Sequence, residues 1–197
     1  MSGKTSSTLT KLPNAEELQL AVDQVVSSSR RSRQKASRVI SAVAKENPEA
    51  LVPHIPALVS VLDFDEAQTR WEVLDALALL VSYDSRACDK ALEGAETALF
   101  DEDNGPVRLS ALRFLCKLGA TTENRSEKVW PLLDEAIQCY HGDFEFQDML
   151  AAVVDFSAGK ISQNVKEQLG VRMAFDAANA KGWLRKRAAQ IVENVSK

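Results

Sequence analysis

Five segments of the chain can be laid on one another at a nearly constant interval: Arg33-Gln-Lys-Ala36, Arg70-Trp-Glu-Val73, Arg108-Leu-Ser-Ala111, Gln147-Asp-Met-Leu150 and Arg185-Lys-Arg-Ala188. Their first residues lie 37, 38, 39 and 38 positions apart. A closed core gives each of its elements a different environment and imposes no such rhythm. A stack of equivalent helical units does, because every unit packs against a near-copy of itself. The period therefore predicts one elongated helical-repeat unit, although 197 residues would suffice for two compact domains.

The residues between these landmarks read as helices. Asn14 precedes Glu16 and Glu17, acidic residues suited to a helix start, and Leu18, Ala21, Val22 and Val25 then recur on one face. A second amphipathic run spans residues 32–46, and the alternation continues over 48–62, 66–82, 85–100, 105–118, 126–140, 144–157, 162–179 and 181–195. Turn or breaker chemistry such as Asn47-Pro48, Asp63-Phe-Asp65, His141-Gly-Asp143 and Lys181-Gly182 separates the runs. No segment alternates apolar and polar residues long enough to predict a strand. The expectation is an all-α solenoid of ten helices in five antiparallel pairs, at about 14–46, 48–82, 85–118, 125–158 and 161–196. A disordered tail over residues 1–13 is expected ahead of a single domain over 14–197.

Composition narrows the function. A net charge of −4 and a pI near 5.3 argue against a nucleic-acid partner, whose affinity rests largely on phosphate neutralisation. Two basic runs, residues 30–38 and 181–187, fall at opposite ends of the solenoid and form no single groove. No apolar stretch approaches the roughly 18 residues of a membrane span or resembles a signal-peptide core, so a soluble, cytoplasmic protein is expected. Cys88, Cys116 and Cys139 lack the paired spacing of a metal or disulfide site and read as reduced, mostly buried thiols. With only His54 and His141 there is no histidine pair at ligand spacing, and neither metal nor cofactor is expected.

The run from Pro48 to Leu62, with prolines at 48, 53 and 56, is followed by Asp65 and Thr69-Arg70, and Asp103 is followed by Val107-Arg108 and Ala111. This pattern resembles the HEAT-repeat family, an armadillo-like α-solenoid. Over roughly residues 14–196 the resemblance implies a right-handed superhelix with the second helix of each pair on the concave side. The recurrent Asp65, Asp103, Arg70 and Arg108 read as structural: an aspartate in the turn can cap a helix, and the arginine can reach a turn aspartate in its own or the adjacent repeat.

On concave helices, the position after the arginine and the one four beyond it share a face. Those positions nominate Arg38, Trp71, Asp75, Leu109, Arg113 and Asp148 as partner-binding residues, with Trp71 and Leu109 expected to be exposed. The mixed row suits a protein or peptide partner, and the first reading is a non-enzymatic scaffold. A second arises because Trp71 and Asp75, one turn apart, look like the aromatic–carboxylate pair of the HEAT-like DNA alkylation repair glycosylases; the basic segment at Trp183 lies 112 residues away, too far to act beside them. A third is a structural subunit of a larger assembly. The apolar first helix, with Leu18, Leu20, Val22, Val25 and Val26, adds an expected homodimer through the N-terminal end.

Overall fold

The computed structural model describes residues 12–197, and the tail expected at 1–13 lies almost wholly outside them. The described residues form ten α-helices: α1 (Ala15–Val25), α2 (Arg30–Glu46), α3 (Ile55–Ser60), α4 (Ala67–Cys88), α5 (Leu92–Leu99), α6 (Gly105–Gly119), α7 (Glu123–Cys139), α8 (Phe146–Ser157), α9 (Gln163–Asn179) and α10 (Gly182–Val195). The even-numbered helices pack in succession, α2 on α4, α4 on α6, α6 on α8 and α8 on α10. The odd-numbered helices cover one side of that row, with α1 on α2, α3 on α4, α5 and α7 on α6, and α9 on α10.

Side-chain caps open four of the ten helices. Asn14 accepts from Glu17 N while Glu17 reaches back to Asn14 N, a reciprocal pair that satisfies two otherwise orphaned donors. Ser29, Thr122 and Ser162 cap α2, α7 and α9 in the simpler one-bond manner. Two expected helices differ. The run 48–62 is broken into 3-10 turns at Pro48–His54 and Val61–Asp63 around the short α3. Pro53 and Pro56 lack the N–H that a continuous α-helix needs there. The run expected to begin at Ser85 is joined to α4 through Asp84, whose φ of −147° and ψ of 80° interrupt the helical path. Asp84 Oδ1 then accepts from Ala87 N at 2.8 Å and restarts it.

A single apolar core runs from Leu18 to Ile191. Stripes at three- and four-residue steps feed it, including Val73, Leu74 and Leu77 on α4 and Ala111, Leu112 and Leu115 on α6. Phe114, Phe146 and Phe156 are fully buried, with Phe146 on α8 edge-on to Trp183 on α10 and Phe156 on α8 close to Gly119 on α6. No pair could bury both its faces alone, so stacking supplies the core.

The arginine ladder is present, with different acidic partners from those expected. Arg33 pairs with Glu66, Arg70 with Asp101, and Arg108 with Asp143 at 3.7 Å, each arginine reaching the turn of the following repeat. Asp65 and Asp103 are exposed instead, and neither caps the helix that follows it: Glu66 and Asn104 occupy the N-cap positions of α4 and α6 without a side-chain cap. Asp101 Oδ1 accepts from Asp103 N, Asn104 N and Asn104 Nδ2 at 2.9–3.0 Å, which leaves Oδ2 turned toward Arg70. Arg33 also lies over the Phe64 ring and Arg108 over Tyr140, at 4.2 and 5.0 Å, so two rungs combine an ion pair with an aromatic face.

Cys88 and Cys116 are buried, whereas Cys139 is exposed. Ala136 and Ile137 face the core, and two further residues at about 100° each carry Cys139 to the opposite side of α7. Among the described residues no helix is long and apolar enough to cross a membrane.

Candidate functional site

Each even helix buries one stripe and leaves the opposite side open, and four of these open sides form a cleft of about 520 Å³. Lys45 comes from α2, Asp75, Ala78 and Leu79 from α4, Arg113, Cys116 and Lys117 from α6, and Asp148, Ala151, Ala152, Asp155 and Phe156 from α8, with Ala120 just beyond α6. The floor is made mostly of small residues, and Leu79 stands 43% exposed within it. Charged side chains form the rim.

Three of the six residues nominated from sequence, Asp75, Arg113 and Asp148, lie together on this cleft. The other three do not line it. Trp71 and Leu109, expected to be exposed, are half-buried and packed against the core. Arg38 is exposed and its guanidinium lies 3.4 Å from Gln68 Oε1. Sequence reasoning missed Lys45, Leu79, Lys117 and Asp155. The nomination stopped after one turn, whereas the open stripe continues along each helix; extending the same steps of three and four from Asp75, Arg113 and Asp148 leads to Leu79, Lys117 and Asp155.

The rim charges are loosely paired. Arg113 reaches Asp148 at 4.0 Å and Lys117 reaches Asp155 at 3.5 Å, in each case from α6 to α8. Burial pushes the Asp75 carboxyl above its ordinary value, partly opposed by a hydrogen bond from Ser110 and by the charges of Arg113 and Lys45. Burial likewise raises the Cys116 thiol well above the usual thiol range, which makes it a poor nucleophile. Neither histidine lines the cleft, and among the described residues no group of three or more His, Cys, Asp or Glu is placed to hold a metal ion. The arrangement offers apolar depth beside fixed charges, the chemistry of recognition.

Two further surfaces bear on the other readings. Trp183, on α10, is separated from Trp71, on α4, by α6 and α8, so the two do not meet on one ligand. Between α7 and α9, Val171 and Phe175 are 80% and 74% exposed beside Trp130 and the Arg172–Asp134 pair. Of the apolar set on α1, only Leu20 and Val26 remain exposed.

No protein-family model matches the sequence, and no curated protein matches it. Solved structures do match in shape. A designed armadillo repeat protein aligns at TM-score 0.74 with 19% identity over 90% of this chain and 82% of its own. Another, in complex with the peptide (KR)4, aligns at TM-score 0.74 with 16% identity over 93% and 87%. Computationally designed armadillo repeat proteins for modular peptide recognition align at TM-score 0.72 with 18% identity over 91% and 82%. The fold is thus an all-α solenoid of the HEAT/armadillo-like type, as the 37–39-residue period indicates.

Proposed function

We propose that this armadillo-like repeat scaffold is a non-enzymatic binding protein that holds an extended segment of a protein or peptide across α2, α4, α6 and α8. The observation that carries this reading is the continuous cleft with small residues on its floor and charges of both signs on its rim. Small floor residues leave room for a ligand's larger apolar side chains, while the rim fixes their register. Asp75, Arg113 and Asp148 would contact the ligand directly, with Trp71, Leu109 and Arg38 flanking it. The similar fold of repeat proteins designed to recognise peptides supports the same use of the surface.

Selection of a random peptide library on the wild-type protein and on Ala152→Trp, which fills the cleft, tests the reading. Peptides enriched by the wild type and lost with the variant are expected. Equal enrichment by both proteins, or none, refutes it. Recovery of DNA binding that falls steeply with salt would instead favour the glycosylase-like alternative.

A second reading, a subunit of a larger assembly, draws on the exposed Val171 and Phe175. It predicts self-association in sedimentation that disappears in Val171→Glu/Phe175→Glu. A monomer at all concentrations would leave that face without support as a self-contact.

A further inference from the structure

The rim charges are sorted by helix. Lys45 on α2 is positive, Asp75 on α4 negative, Arg113 and Lys117 on α6 positive, and Asp148 and Asp155 on α8 negative. Sign is constant along each helix within the cleft and reverses at every step to the next. Neighbouring packed helices lie about 8–10 Å apart, and an extended chain advances about 3.3 Å per residue. A segment crossing the row therefore meets a new sign about every third residue.

These charges differ from the ladder that ties the repeats together. The side chains of Arg70 and Asp101 are 10% and 12% exposed, whereas those of Arg113 and Asp148 are 43% and 59% exposed at 4.0 Å. Lys117 and Asp155 are more open still. Pairs this open and this long contribute little to folding, so a ligand's charges can compete for them at small cost. In addition, Arg113 lies in the field of Asp75 as well as beside Asp148, so it presents a cation between two anions.

We infer that the cleft selects an extended peptide whose charge alternates every third residue, acidic over α2 and α6 and basic over α4 and α8, with apolar side chains between them entering the small-residue floor. This rests on the peptide-binding reading above and names the class of peptide. A uniformly basic ligand such as (KR)4 would set like charges against Lys45, Arg113 and Lys117, and a uniformly acidic one against Asp75, Asp148 and Asp155.

Fluorescence anisotropy with synthetic ten-residue peptides tests it. One peptide carries Glu, Lys, Glu and Lys at every third position with Leu and Ser between. A second has the reversed order, since chain direction across the row is open. A third has the same composition with both Glu at one end and both Lys at the other, and (KR)4 is the fourth. The expected result is that one alternating peptide binds about ten-fold or more tighter than the blocked peptide and (KR)4, with the advantage shrinking as salt rises.

Arg113→Glu/Lys117→Glu, which makes α6 acidic, should reverse the preference toward (KR)4. Both positions carry solvent-accessible side chains, and circular dichroism confirms that the variant is folded. Equal binding of alternating and blocked peptides, or a preference unchanged in the variant, overturns this inference and leaves the peptide-binding reading standing. Failure of every peptide to bind, alongside an empty library selection, overturns both.

Discussion

Replacing Arg70 by alanine should cost far more stability than the same change at Arg113, although both arginines pair with an aspartate of the following repeat. The Arg70–Asp101 side chains are 10% and 12% exposed, so Arg70→Ala leaves a carboxylate in a poorly solvated turn. Removing one partner of such a pair costs about 3–5 kcal/mol. Asp101 keeps its bonds from Asn104 and Asp103 N, and the unpartnered Arg70 Nε is removed with the side chain, so the lower end, about 3 kcal/mol, applies. Arg113→Ala removes an exposed pair, with an expected cost of about 0–1 kcal/mol.

Urea unfolding followed by circular dichroism and by the fluorescence of Trp71, Trp130 and Trp183 would measure both, while revealing whether distant repeats melt together. With a slope near 2 kcal/mol/M, the Arg70 variant shifts the midpoint by about 1.5 M. The pH dependence supplies a second arm. Burial pulls the Asp101 carboxyl upward, but hydrogen bonds from Asn104, Arg70 and Asp103 N, with the Arg70 charge, together hold it below its ordinary value. A depressed carboxylate contributes stability above its unfolded pKa of about 3.9 and loses it as pH falls through the folded value, so the gap between wild type and Arg70→Ala should narrow below about pH 4. Equal midpoint shifts for the two arginine variants at neutral pH would refute the distinction between fold-holding and cleft-rim charges.

Native protein at pH 8 should react with a thiol reagent at Cys139 alone, and unfolded protein at all three cysteines. Cys139 is exposed, while burial, reinforced by Asp84 and Asp89, pushes the Cys88 thiol up to about 12. Rapid native labelling of Cys116 would contradict its burial beneath the cleft. Gly119→Ala should destabilise by about 1–3 kcal/mol despite the better helix propensity of alanine, because the new Cβ would lie 2.9 Å from Phe156 Cε2 and closer still to Val129 Cγ2. Thermal unfolding checks this, and an unchanged or raised midpoint refutes the close approach. If Trp71 anchors a ligand, Trp71→Ala weakens peptide capture by on the order of 1–3 kcal/mol. An unchanged affinity in a folded variant removes it from the proposed contact set.

The helical period, the apolar stripes and the cap of α1 were legible in the amino-acid order because they rest on local rules. Asn14 with Glu17 starts α1 through contacts three residues apart, and the spacing of Val73, Leu74 and Leu77 defines an inward face before any neighbour is placed. Three of the nominated groove residues followed from that same helical geometry. Tertiary structure decided what depends on the offset between repeats. Whether Arg70 met Asp101 or Asp103 depended on how the turn of the next repeat folded around Asp101, and local spacing does not contain that information. Trp71 and Leu109 lay off the predicted stripe but were half covered once adjacent helices closed over them. The reversal of charge from α4 to α6 to α8 is written in the sequence as isolated residues nearly 40 positions apart, yet it became one surface only when stacking set those helices side by side. Local order thus determined the units and their inward faces, while long-range packing determined which polar groups meet and which surface stays open, because those contacts join residues that the chain itself holds far apart.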